Sequence, residues 1–212
     1  MADEIKAVVL AAGKSTRMKS ERSKVLHTIL GKEIICYLLD SLLECGIAGP
    51  DIIVVAGDNR GQIEKVIGRD VRYAVQKEQL GTAHALLSAS ELLAGYGGDL
   101  LVLVGDNPYI TAPALRSLIA AHRRSRAHCT FISAVFPDEV PPFGRIVRDE
   151  QGKVQRIVEE KDASPEERRI REVNASIYLF DNRLVFPLLS RIGNDNAKKE
   201  YYLTDIVALL RR

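Results

Sequence analysis

Five basic residues, Lys14, Arg17, Lys19, Arg22 and Lys24, follow Gly13 in close succession. Directly before that glycine runs the apolar stretch Ala7-Val8-Val9-Leu10, then Ala11 and Ala12. A β-type run that ends in small residues and opens into a cationic loop suits a polyanion. Gly13 lets the backbone pass close to a ligand, and free backbone N–H groups in such a turn can form an anion-binding nest. Lys and Arg side chains then add charge-assisted bonds to phosphate oxygens. Gly13-Lys14-Ser15 looks like the end of a GxxxxGK[ST] loop, but Val8 stands where the first glycine must be. The dinucleotide fingerprint GxGxxG fails as well, because Ser15 occupies its second glycine. The plain alternative is a solvated surface loop.

Gly105-Asp106-Asn107-Pro108 follows the apolar run ending at Val104. A carboxylate at a strand end, facing a phosphate-binding loop, suits a Mg²⁺ that bridges phosphates; the alternative for Asp106 is an ordinary turn residue. In Gln76–Ala83, QKEQLGTA, the Gln76 amide carries an acceptor and donors that can match a pyrimidine edge. There Gly81 would let the backbone approach the base, and Thr82 could cap the next helix. Phe143-Gly144-Arg145-Ile146, Glu159-Glu160-Lys161-Asp162, Asn174 and Tyr201–Asp205 offer neutral or acidic groups suited to sugar hydroxyls and an N-acyl group. A solvated charged hairpin is the alternative there.

The elements that must position these groups follow from periodicity. Short β-branched or apolar runs predict strands at 51–56, 71–75, 99–104, 129–136 and 173–180. Apolar residues at helical spacing predict helices at 33–45, 62–67, 81–93, 111–126, 183–189 and 204–210. Gly46 stops the first of these, and Thr111 is expected to cap the fourth, with Pro113 in its first turn. Residues 144–148 and 154–159 flank Asp149-Glu150-Gln151-Gly152 and read as a hairpin, and 166–171 as a charged surface piece. Strands alternating with helices predict an α/β fold, a mostly parallel central sheet with helices on both faces. The expected organisation is one domain, with a nucleotide-binding half to about residue 136 and a small mixed-sheet sugar-binding lobe from about 137 to 212. In open sheets of this kind ligands sit outside the carboxyl ends of the strands, where the loops after Leu10 and Val104 lie.

The 212 residues carry 30 basic and 28 acidic side chains, a net charge of +2, too close to neutral for a nucleic-acid coat. A chain of this size buries roughly 70% of its unfolded surface and needs no staples. Cys36, Cys45 and Cys129 show no CxxC and read as reduced core thiols of a cytoplasmic protein. His27, His84, His122 and His128 show no metal spacing. No apolar run approaches a membrane span, and MADEIK lacks the basic start of a secretory signal.

LAAGKSTRM followed by Lys24 resembles the signature L-A-A-G-x-G-T-R-M-x(n)-P-K of sugar-phosphate nucleotidyltransferases. With KVLHTILGK, QKEQLGTAHA, VGDNP, FGRIVR, VEEKDA and KEYYLTDI in this order, residues 5–210 resemble one member group. That group is the uridylyltransferase half of bacterial bifunctional N-acetylglucosamine-1-phosphate uridylyltransferase/glucosamine-1-phosphate acetyltransferases. The resemblance implies a Rossmann-like nucleotide-diphospho-sugar transferase fold. It also implies an enzyme that makes UDP-N-acetylglucosamine and pyrophosphate from UTP and N-acetylglucosamine 1-phosphate. Leu10, Ala11, Ala12, Gly13, Lys14 and Lys24 would hold the triphosphate, with Arg17 and Lys24 acting in the reaction. Gln76, Gly81 and Thr82 would read uracil, and Gly105-Asp106 would sit at the phosphates, Asp106 binding Mg²⁺. Gly144, Glu159, Asn174 and Thr204 would bind the amino sugar.

The chain departs from the family pattern in several places. Ser15 replaces a glycine, and Ser23 replaces the proline before Lys24, removing a fixed φ. Asn107 replaces a hydrophobic residue, Phe143 a Tyr, and Ala175-Ser176 a Thr-Gly. Family members continue to an Asn that is a second metal ligand and then to a β-helix acetyltransferase domain, both expected beyond Arg212. The rival expectations are transfer to another sugar phosphate or from another nucleotide, and a nucleotide-sugar sensor without turnover.

Overall fold

The computed structural model describes residues 5–13, 20, 22–68 and 70–211. Its centre is β1 (Ile5–Leu10), an apolar run in which Ala7, Val8 and Val9 are fully buried. Both faces of such a strand must be covered, as a parallel sheet between helix layers requires. A short hairpin, β2 (Thr28–Ile29) and β3 (Lys32–Glu33), leads into α1 (Ile34–Glu44). Then come β4 (Ile52–Ala56), α2 (Arg60–Ile67), β5 (Arg72–Val75), α3 (Thr82–Leu87) and β6 (Asp99–Val104). α4 (Ala112–Ser125) and β7 (Cys129–Val135) follow. The second half consists of β8 (Arg145–Arg148), β9 (Val154–Val158), α5 (Pro165–Arg168), β10 (Glu172–Asp181), α6 (Asn182–Leu189) and α7 (Ile206–Leu210).

The main sheet runs β5-β4-β1-β6-β10-β8-β9, with β7 also paired to β10. The pairs β5–β4, β4–β1 and β1–β6 are parallel; β6–β10 and the strands beyond it are antiparallel. A parallel half and an antiparallel lobe thus share one sheet through β10. Helices α1, α2 and α4 cover one face, their Leu38, Ile63 and Leu115 packing with Val9 and Val54. Helices α3, α6 and α7 cover the other, where Leu86, Val185 and Ile206 pack with Val8 and Ile53. Among the described residues no helix is long and apolar enough to cross a membrane.

Gly46 does end α1. It sits at φ +93°, its N–H bonds Leu43 O at 2.9 Å, and Ile47 N–H bonds Leu42 O at 3.1 Å. That is the two-bond closure that satisfies a helix's last carbonyls. Three expectations need correction, and one element is additional. The helix expected over 81–93 breaks after Leu87 and resumes as a 3-10 turn at Ser90–Leu93. At the break Ser88 turns its hydroxyl back to His84 O at 3.0 Å and shares its N–H between His84 O and Ala85 O. The last helix begins as a 3-10 turn, Leu203–Asp205, before α7. Thr111 precedes α4 but makes no side-chain cap bond. The β2–β3 hairpin is additional: Leu30 and Gly31 take φ +51° and +80°, the left-handed pair of a tight hairpin turn.

Candidate active site

The parallel register sets one edge of the site. Leu10 lies level with Val55 on β4 and Val104 on β6, so the chain leaves all three strands at the same height. Backbone bonds continue the ladder beyond the strands: Ala11 N to Val55 O, Gly105 N to Leu10 O and Gln76 N to Ala56 O, each 2.8 Å. Above this edge opens a cleft of about 520 Å³. It is lined by Leu10, Ala11, Ala12, Gly13, Lys24, Gln76, Gly81, Thr82 and Asp106, all anticipated from the sequence, and by Gln79 and Glu200, which were not. Lys14 and Arg17 lie outside the described residues.

Lys24 and Asp106 meet in an ion pair at the cleft, with side chains 48% and 31% exposed, open enough to exchange partners with a ligand. Lys24 is carried by a 3-10 turn, Lys24–Leu26, whose entry residue Ser23 has φ −53° and is buried. The loss of proline at this position therefore does not free the backbone. Asn59 holds it instead, donating to Ser23 Oγ at 2.7 Å and to Ala11 O at 3.1 Å, while its Oδ1 accepts from Gly57 N at 2.9 Å. Asn59 thus staples the entry and exit of the cationic loop to the end of β4, a role no local pattern announces. Gly105 contributes closeness rather than a ligand contact, since a Cβ there would stand 3.2 Å from Leu10 O and 3.3 Å from Val25 Cγ1.

Gln76 is buried, and its amide nitrogen contacts Gly81 O at 3.2 Å and His84 Nδ1 at 3.0 Å. With both N–H groups so engaged, its carbonyl oxygen is the atom left to meet a base. Gly81 and Thr82, which line the cleft, also tie the chain to itself. Gly81 has φ +116°, and a Cβ would stand 2.5 Å from Tyr201 O, so the close approach its glycine allows is to the chain itself. Thr82 is the first residue of α3, not its cap; its hydroxyl accepts from Leu203 N at 2.9 Å.

A second cleft of about 160 Å³ adjoins the first and shares Leu10, Thr82, Val104 and Glu200 with it. Glu159 and Thr204 line it together, the Thr204 hydroxyl donating to Glu159 Oε1 at 3.1 Å. Ser176, Tyr178 and Lys198 also line it; the sequence marks only Ser176 among them, as a departure from the family pattern. Asn174 is buried with its amide turned inward: Nδ2 donates to Tyr178 Oη at 2.6 Å and Oδ1 accepts from Ser176 N at 3.0 Å. Gly144 lies beneath the cleft wall, where a Cβ would meet Ile157 Cγ2 at 2.8 Å and Glu159 Oε1 at 3.5 Å. Ser176 takes φ +57° where the β10 pairing with β7 breaks register between Asn174 and Tyr178. A left-handed non-glycine residue costs of order 1–2 kcal/mol. Its signal in the sequence was Ala175-Ser176 standing for Thr-Gly.

Burial shapes the charges of this second cleft. It pushes the Glu159 carboxyl up, against the lowering by the Thr204 bond and Lys198. Asp205 is pushed up to about 6, by burial first and then by Glu159 and Asp162. Burial also raises Tyr202, with Asp162, Glu200 and Glu159 adding to it. Of these groups Glu159 and Glu200 line the cleft together with Lys198, and their carboxylates can accept hydrogen bonds from hydroxyls of a polar ligand.

Comparison with known proteins fits this geometry. A protein named bifunctional protein GlmU from Brevibacillus brevis is 46% identical over 208 residues, covering 98% of this chain and 44% of that protein. The protein of the same name from Pelotomaculum thermopropionicum is 46% identical over 209 residues, covering 99% of this chain and 45% of that one. The chain therefore spans less than half the length of these relatives. A crystal structure of UDP-glucose pyrophosphorylase complexed with UDP-glucose superposes with a TM-score of 0.80 at 18% identity, over 99% of this chain and 88% of the other, which shows the shared fold. The nucleotidyl transferase family model matches residues 6–211, and the chain belongs to that family.

Proposed function

We propose that this domain transfers the uridylyl group of UTP to N-acetylglucosamine 1-phosphate, giving UDP-N-acetylglucosamine and pyrophosphate. The observation that carries the reading is the pair of adjoining clefts. One has a cation–carboxylate pair and a base-facing amide, the other half-buried carboxylates and hydroxyls, and they meet at Leu10, Thr82, Val104 and Glu200. An oxygen of the sugar phosphate attacks the α-phosphorus in line; the P–O bond to the β-phosphate breaks and pyrophosphate leaves. Little covalent work falls to the protein, which positions the groups and neutralises charge. Lys24 is the described cation for that work, and Lys14 and Arg17 join it in this reading. The Gln76 carbonyl oxygen would accept the N3–H of uracil, a proton cytosine lacks.

Magnesium belongs to the same reading. Among the described residues no group of three or more His, Cys, Asp or Glu stands together as a metal cage. A lone carboxylate beside phosphates is nevertheless a donor set that Mg²⁺ accepts, and Asp106 supplies it. When bound, the ion would neutralise charge on the phosphates. Gly144 and Asn174 support the sugar side from behind the cleft, with Glu159 and Thr204 in front. The division at about residue 136 is kept as a division of labour along one sheet. Cys36, Cys45 and Cys129 form no disulfide, as this reading expects of a cytoplasmic setting. Small molecules are the partners this reading needs, with no part for nucleic acid or membrane. The test is pyrophosphate release from four nucleoside triphosphates against several sugar 1-phosphates. UTP with N-acetylglucosamine 1-phosphate should be the fastest pair; a faster pair with another base or sugar overturns the assignment.

A further inference from the structure

Residues 197–204 run between the two clefts and are tied to both. On the nucleotide side Tyr201 N donates to Leu80 O at 2.7 Å and Ala83 N donates to Tyr201 O at 2.9 Å. Leu203 N donates to Thr82 Oγ1 at 2.9 Å. On the sugar side Ala197 N donates to Asp162 Oδ1 at 2.7 Å, and Thr204 Oγ1 donates to Glu159 Oε1 at 3.1 Å. Leu203 and Thr204 are 3% and 5% exposed, while Thr82 is exposed in the cleft, so with its hydroxyl lost Leu203 N can be met only from the cleft side.

We propose that Thr82, although it lines the nucleotide cleft, is a positioning residue for the sugar phosphate: its hydroxyl holds Leu203, and through the next residue sets Thr204 against Glu159. The inference rests on the uridylyl-transfer reading and assigns the two sides of that one site. Thr82 needs no contact with the sugar to act this way. The side-chain oxygen that fixes residues 203–204 belongs to the start of α3, which borders both clefts, so the sugar side takes part of its shape from the nucleotide side.

The test is a KM split in the full chain. Thr82→Val removes the acceptor at nearly constant volume. It should raise KM for N-acetylglucosamine 1-phosphate about tenfold, the loss expected for one N–H left unpaired, and by clearly more than it raises KM for UTP, whose cleft Thr82 also lines. Thr82→Ser restores the hydroxyl and should return the sugar KM close to the unaltered value. Thr204→Val should shift the same constant, and the double variant should cost less than the product of the two singles, because both act on one contact. Should Thr82→Val fail to fold, Thr82→Ala loses the same acceptor and must show the same split. A rise in KM for UTP equal to that for the sugar phosphate overturns the proposal, as does an independent, multiplicative Thr204→Val. An unaltered chain that releases no pyrophosphate from UTP with any sugar 1-phosphate overturns the reaction itself and this inference with it. An active chain with the wrong split removes only the role of Thr82.

Discussion

On the nucleotide side, the cleft is made from loops that leave the ends of buried parallel strands. Main-chain bonds, Ala11 to Val55, Gly105 to Leu10 and Gln76 to Ala56, and the Asn59 clamp fix these loops, and the charged pair they carry, Lys24 and Asp106, stands partly open to water. On the sugar side the antiparallel lobe supplies a hairpin, a register break and a crossing segment. Side chains fix these: Thr204 on Glu159, Asn174 on Tyr178 and Ser176, Asp162 on Ala197. The first arrangement lets reactive side chains be changed without moving the frame. The second makes the frame out of the side chains that also face the ligand. Substitutions should therefore divide. On the nucleotide side they should act on chemistry, and on the sugar side on shape, affinity and stability together.

The largest expected effects test the first half of that division. Lys24→Ala and Asp106→Asn should each lower kcat by roughly 10²-fold or more, the scale of removing one transition-state charge partner, with thermal midpoints nearly unchanged. Because the two groups touch, a double-mutant cycle should show a combined loss well short of the product. Steady-state kinetics checks both; a loss confined to KM for UTP would make Lys24 a docking group only. Gly81→Ala comes next and crosses the boundary between the regions. The new Cβ would lie 2.5 Å from Tyr201 O at a φ of +116°. A loss of about 3 kcal/mol, read from denaturant midpoints, is expected from combined overlap and backbone strain. A loss below about 1 kcal/mol would mean the crossing segment yields freely, and the two walls are not rigidly joined.

The two regions also differed in how far they could be read in advance. Strands such as β1, β4 and β6 carry their own signal, because burial on both faces demands unbroken apolar runs. Loops after such strands can then be placed without any knowledge of distant contacts, which is why Leu10 to Gly13, Gln76 and Asp106 fell where expected. The sugar side depends on partners far apart in the chain, such as Thr82 with Leu203 or Thr204 with Glu159. No local spacing encodes those pairs, so Thr82 is expected from the sequence as a helix cap and its bond to Leu203 is not. Local rules failed where an unusual residue filled a special conformation. Leu30 in a left-handed turn hid the β2–β3 hairpin, and Ser176 hid the break in β10. The Asn59 clamp on Ser23 was hidden differently: Gly57-Asp58-Asn59 has turn composition, and it is a turn, but its side-chain bonds reach 36 residues back.

Two intermediate effects sharpen the contrast. Gln76→Ala should reduce the preference for UTP over CTP by about tenfold, the value of one buried hydrogen bond to the base. Competition binding of the two nucleotides measures it, and an unchanged preference would move base reading elsewhere, with Gln79 the next amide on that wall. Ser176→Gly should raise stability by about 1 kcal/mol, since glycine takes a positive φ without strain. It should also alter KM for the sugar phosphate, because Ser176 lines that cleft. A stability gain with an unchanged sugar KM would show a backbone role alone.

The smallest effect concerns Asp205, and its sign follows from burial. The carboxyl is pushed from its ordinary 3.8 up to about 6, first by burial, then by Glu159 and Asp162. A raised carboxyl means that, between about pH 4 and 6, the folded chain holds a proton that the unfolded chain has released. Stability must then fall as pH rises through that window, and the loss is complete above about pH 6. Asp205→Asn cannot ionise, so it should be more stable than the unaltered chain at pH 7.5 and lose that advantage near pH 4. Asp205 is only half-buried, and solvent screening keeps the gain below about 1 kcal/mol. Urea midpoints at pH 4, 6 and 7.5 measure the difference. An equal gain at every pH would trace the effect to packing rather than charge. A destabilised Asp205→Asn at pH 7.5 would mean that the ionised carboxylate has a favourable partner, and that desolvated charge is not what sets the sugar wall apart from the nucleotide wall.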